Sequence, residues 1–181
     1  MNAAVTIAAG LALGVATIAA LLDRRRGQIP NWLTLPPIAL SPFAYGFAFG
    51  IEYGIHSAGS ALVSALVPYL LFRRGGMGGG DVKLFGALGA ITGFDLLVGI
   101  EIQLGAFVVA IVFACAALAW RGALLKTLGT ALTLALNPLL PMRCRREVSG
   151  PLAAPVRLGG AILVATGVFA APQLMLAWSE R

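Results

Sequence analysis

Two aspartates, Asp23 and Asp81, are the residues of this 181-residue chain whose types and surroundings could do acid–base chemistry. Asp23 closes the uncharged run 2–22 and is followed by Arg24-Arg25-Arg26. Asp81 ends the stretch Gly75-Gly76-Met77-Gly78-Gly79-Gly80 just where an apolar segment resumes. An ionisable side chain at such a border is costly to desolvate and marks a functional site by default. Five glycines in six positions let backbone approach backbone or substrate with no Cβ in the way. Two carboxylates about 3 Å apart cannot both stay charged, so a pair would share one proton. One member could then take a proton from water while the other polarises a carbonyl, with no metal or cofactor needed. A plainer reading of Asp81 stands beside this one: a solvated loop whose last residue caps the next helix.

Other chemistries lack their residues. A phosphate-binding P-loop needs Gly-Lys-Ser/Thr opening a helix, and a dinucleotide fingerprint needs a βαβ setting; here an acid stands in place of the lysine. Cys115 lies in an apolar run and Cys144 in a basic loop, so neither a disulfide framework nor a CxxC metal pair is present. His56 is the single histidine and reads as an outside-loop residue with no partners for a triad. Lys83 would orient substrate or support Asp81 electrostatically, against the plainer reading of an interfacial lysine beside anionic headgroups.

Composition indicates the kind of scaffold that carries these residues. The chain is 59% hydrophobic and 11% charged, against about 25% charged in an ordinary globular domain. That predicts an all-α, polytopic membrane bundle forming one domain over 1–181. Its net charge of +6 does not point to nucleic acid, because the basic residues sit in short clusters between apolar runs, as in cytoplasmic loops.

Residues 2–22 suffice to cross a hydrocarbon core, and the arginines after them place the N-terminus outside. Trp32–Gly50, carrying Pro36, Pro37 and Pro42, crosses next; 52–60 reads as an outside loop, and Ala61–Phe72 returns to Arg73-Arg74. Two crossings between Asp23 and Asp81 put both on the cytoplasmic face. Leu84–Phe94 then leads out to a turn at Asp95, and Leu96–Ala119 leads back to Trp120 and Arg121, with Glu101 near the outer boundary. A surface or re-entrant segment over 123–141 keeps Arg143, Arg145 and Arg146 inside, and Leu158–Trp178 is the sixth span. This arrangement leaves only Arg181 among the basic residues outside. On helix-end electrostatics Asp81, which opens a helix, is expected to ionise more readily than Asp23, which closes one.

The residues resemble a family. Leu21-Leu22-Asp23-Arg24-Arg25-Arg26-Gly27-Gln28-Ile29-Pro30-Asn31 is similar to the first-aspartate motif of type IV prepilin peptidases, and Gly78, Gly80 and Asp81, followed by Lys83-Leu84, match their GxGD element. Pro155 through Gly159-Gly160 resembles the entrance to the family's last helix. The resemblance implies an aspartic endopeptidase of the inner membrane that removes the basic leader of prepilin precursors, with Asp23 and Asp81 catalytic and Gly78, Gly80 and Lys83 serving the loop and substrate. Its partners would be the precursor and membrane lipids, and no oligomeric state is implied. The paired-CxxC insertion of bifunctional members has no counterpart here, so the likeness is to the minimal branch, serving tight-adherence or archaeal-type filaments, in which peptidase activity stands alone. The alternative from another class is a transporter or assembly subunit using Asp23 and Asp81 for protons.

Overall fold

In lipid every backbone polar group must be satisfied inside its own segment, so long uncharged runs become helices. The computed structural model describes residues 2–123, 125, 127, 129 and 158–179, and among these it has helices and no strand. The helices are α1 (Asn2–Arg26), α2 (Asn31–Phe49), α3 (Ile51–Arg73), α4 (Gly79–Ile91), α5 (Val98–Trp120) and α6 (Gly159–Ser179). Four of them, α1, α3, α5 and α6, are long and apolar enough to cross a membrane. Large apolar side chains such as Leu40, Phe47, Leu62, Val108 and Val168 are exposed along the helices, an arrangement that water penalises and lipid requires. The chain is a multi-pass helical membrane protein.

Two compact units make up the chain: Met1–Val109 with Pro155–Arg181, and Ala110–Ala154. In the second, α5 runs on to Trp120 and the chain turns at Gly122, whose φ of 64° is in the left-handed region glycine favours. The first unit carries both aspartates.

At the centre of that unit is α4. Its 13 residues rise about 20 Å, short of the roughly 30 Å of a hydrocarbon core, and every residue from Leu84 to Ile91 is buried. Small residues make this burial possible by letting helices touch backbone to backbone. A Cβ on Gly89 would come within 2.6 Å of the Ser60 carbonyl, and one on Gly93 within 2.4 Å of Ser57 Cα. On the other side of the unit α1 packs along α6, with Ala9, Ala12, Ala16 and Ala19 fully buried at three- and four-residue spacing.

The polar stretch 52–60, expected as an outside loop, is helical. Gly50, at φ 108°, makes the whole turn between α2 and α3. Ser57 and Ser60 then face inward and are fully buried, and Ser57 Oγ donates to the Ala90 carbonyl at 2.8 Å. These polar residues fill a tight interface, with Gly54 so near α2 that a Cβ would lie 2.8 Å from the Pro42 carbonyl. His56 accordingly stands on α3, exposed, with its ring 6.3 Å from that of Tyr53. The turn expected at Asp95 is present, and Asp95 Oδ1 accepts the Leu97 N–H at 2.9 Å. The segment 123–141, apart from alternate positions at its start, lies outside the described residues, as do Arg143, Cys144, Arg145, Arg146 and Glu147.

Candidate active site

Asp23 lies in the last turn of α1 because Gly27 stops the helix there. Gly27 adopts φ 65° and its N–H bonds back to the Asp23 carbonyl at 2.8 Å, the left-handed glycine cap that ends many helices. The link Gly27–Pro30 then folds across the start of α4. Ile29 is buried against Gly80, where a Cβ would stand 3.1 Å from Ile29 Cβ and 3.4 Å from its N. Lys83 Nζ donates to Asn31 Oδ1 at 2.9 Å. Lys83 thereby ties the start of α2 to α4, and its described partner is Asn31.

Asp81 occupies the first turn of α4, but not as its cap: Gly78 is the N-cap and the helix begins at Gly79. Asp81 and Asp23 are both buried, and together with Gly27, Gln28, Ile29 and glycines 78–80 they line one cleft of ≈ 320 Å³. The two carboxylates, 58 positions apart in the chain, therefore line the same cleft. Gly78 and Gly80 both lie in the cleft wall. Neither supplies a left-handed backbone: Gly78 has φ −77°, and in this loop the positive φ falls on Gly75, at 74°. Their role is closeness. A Cβ on Gly78 would lie 3.1 Å from Asp81 Oδ2.

A third element reaches the pair. The N–H of Gly159, the first residue of α6, donates to Asp23 Oδ2 at 3.2 Å. Asp23 thus closes one helix and faces the positive end of another, where an anion is favoured. Gly159 must be small, since a Cβ would come within 2.9 Å of Asp23 Oδ2 and 3.2 Å of Ala20 Cα. The sequence marks Gly159 only by the Pro and Gly pattern near the last helix; its bond to Asp23 spans 136 positions and nothing local announces it.

The surroundings of Asp81 act against the ready ionisation expected of it from its helix end. Burial pushes the Asp81 carboxyl up to about 6, the Asp23 charge beside it adds to the rise, and a hydrogen bond from the Gly78 backbone opposes it. The helix end that opens at Asp81 is outweighed by loss of water and by a like charge.

Among the described residues no three His, Cys, Asp or Glu side chains gather as a metal-binding group. A separate apolar hollow of ≈ 260 Å³, lined by Leu11, Tyr45, Phe49 and Phe94 among others, lies away from both aspartates.

Among known proteins, the model of the type IV leader peptidase family matches residues 10–120, a span that holds α1 to α5 almost entire and both aspartates. No curated protein and no solved structure matches the chain.

Proposed function

The chain belongs to the type IV leader peptidase family, and from that membership we propose that it is an aspartic endopeptidase that cuts a basic leader from prepilin-like precursors, using Asp23 and Asp81. The observation that carries this reading is the single cleft lined by both buried carboxylates. Asp23, ionised and held by the Gly159 N–H, takes a proton from a water molecule whose oxygen attacks the scissile carbonyl carbon. Asp81, protonated, donates to the carbonyl oxygen and stabilises the charge that develops there. Collapse of the tetrahedral species breaks the C–N bond: the proton on Asp23 passes to the departing amine, and the proton given to the carbonyl oxygen returns to Asp81 as the new carbonyl forms. The family-like glycines 78–80 leave the cleft wall bare enough for an extended backbone to lie against it. The sequence carries Cys115 and Cys144 but no paired CxxC motif, so cleavage stands alone in this reading.

The test is a cleavage assay in membranes with a precursor that has a basic leader ahead of an apolar helix. The free enzyme works with one proton on the pair. That proton is present below the Asp81 value of about 6 and is lost as pH rises through it. We expect kcat/KM to fall above that value by about tenfold per further pH unit. A profile flat across it would sink the shared-proton mechanism, and no cleavage at any pH would sink the activity.

We place the cleft at the cytoplasmic face of the inner membrane, with six crossings and the N-terminus outside, on the support of the basic runs Arg24–Arg26 and Arg73–Arg74 beside it. In a background without cysteine, Cys at Gly27 or at Gly75 is expected to react only with a reagent supplied from the cytoplasmic side. Cys at Leu96, in the turn between α4 and α5, is expected to react only from outside. Labelling of the Gly27 and Leu96 positions from one side would overturn this topology, and labelling of Gly27 from outside with Leu96 from the cytoplasm would invert it.

A further inference from the structure

Two hollows adjoin at the end of the bundle away from the aspartates. The first, ≈ 260 Å³, opens between α1 and α2 and is walled by Ala4, Ile7 and Leu11 on one helix and by Ala44, Ala48 and Phe49 on the other. Even Leu11 lies about 18 Å along α1 from Asp23. The hydroxyl of Tyr45 is already given to the Ile91 carbonyl, so the lining is apolar in effect. Phe94 stands edge-on to Tyr45 and Phe49, with ring centroids 4.6 and 5.1 Å away, and this braced aromatic wall does not fold into the space. The second hollow, ≈ 210 Å³, lies between α1, α6 and the turn after α4, and it contains Asp95 and Gln173. Ala8 and Phe94 line both hollows, so the polar one adjoins the apolar one across the Phe94 ring. Charge is divided along the bundle. Glu52, Asp95 and Glu101 stand at this end, whereas Arg24–Arg26, Arg73, Arg74 and Lys83, the Lys and Arg among the described residues of this unit, stand at the other.

We propose that the paired hollows bind one phospholipid with an ammonium headgroup, of the phosphatidylethanolamine kind, from the leaflet opposite the acid cleft. Its ammonium pairs with the Asp95 carboxylate, its phosphate accepts from the Gln173 amide, and one acyl chain fills the hollow between α1 and α2. Asp95 Oδ1 accepts the Leu97 N–H at 2.9 Å, and a carboxylate has lone pairs enough to take a cation as well. The local charge selects the headgroup: a carboxylate with no Lys or Arg in the lining beside it attracts an ammonium and repels an anionic lipid. The bilayer selects the tail. An unfilled apolar hollow forfeits dispersion contacts along its walls, and acyl chains are the medium around it. A further helix, about 10 Å across, is too broad to enter a hollow of ≈ 260 Å³, whereas a hydrocarbon chain enters it.

The full chain, purified in detergent, is titrated with dioleoyl phosphatidylethanolamine or dioleoyl phosphatidylglycerol, and bound lipid is counted by native mass spectrometry. No cleavage is read, so the outcome is independent of the peptidase reading. The first ethanolamine lipid is expected to bind roughly two- to fivefold more tightly than the glycerol lipid, the discrimination that one partly exposed charge pair supplies. Asp95→Asn keeps an oxygen for the Leu97 N–H and is expected to abolish that preference. Ala44→Phe, at an exposed position on the apolar wall, is expected to weaken both lipids alike. Leu11→Trp fills the same hollow from α1 and keeps the test alive if Ala44→Phe does not fold. Equal binding of the two lipids by the unaltered chain, or a preference that survives Asp95→Asn, would overturn the headgroup site. Lipid binding untouched by the filling variants, or a mass showing two copies of the chain in place of chain and lipid, would overturn the acyl hollow.

Discussion

Asp23→Asn and Asp81→Asn are each expected to reduce precursor cleavage by about 10³-fold or more, since acid–base catalysis by one positioned group is worth about 10²–10⁴ and the two act as a unit. Asparagine keeps the shape of each side chain. At position 23 its carbonyl oxygen can still accept the Gly159 N–H that now reaches Asp23 Oδ2, so the helix ends should stay where they are. The loss is therefore one of chemistry. Stability is expected to move the other way or not at all, because either change removes the repulsion between the two carboxyl groups that raises Asp81. Thermal unfolding in detergent beside the cleavage rate separates the two effects. Near-normal cleavage by either variant would end the dyad, and a collapse of Tm would show that the carboxylates hold the fold.

Gly159→Val and Gly80→Val should cost cleavage about 10²-fold, although neither residue can move a proton. At Gly159 a Cβ meets Asp23 Oδ2 and the Ala20 backbone; at Gly80 it meets Ile29 Cβ at 3.1 Å and the Ile29 backbone N. Backbone does not yield as the tip of a flexible side chain does, so the carboxylate or the 27–30 link must shift, and a misplacement of about 1 Å is enough for a loss of that size. Gly14→Val is the control, because a Cβ there meets nothing within 4 Å and adds only a β-branched residue to a helix. Cleavage by Gly159→Val or Gly80→Val equal to that of Gly14→Val would reduce these glycines to ordinary linker residues.

The class of the protein is legible in the chain without coordinates, and so are the two aspartates proposed to act in it. Runs without charge can only be helices in lipid, and the count of such runs leads to the expectation that Asp23 and Asp81 emerge on one face; that they line one cleft is a matter of the folded contacts. The glycines of 75–80 announced a backbone that must be approached closely. Other features depend on contacts between distant parts of the chain. The stretch 52–60 reads as a loop because it is polar, yet its serines are spent inside a helix interface whose other side, Gly89 and Gly93, lies about 30 positions on. Helix-end reasoning assigned the negative charge to Asp81 from its own helix alone. Folding is what brings the start of α6 to Asp23 and buries Asp81 beside a like charge, and an electrostatic balance between elements is set by which of them touch, which no local pattern contains.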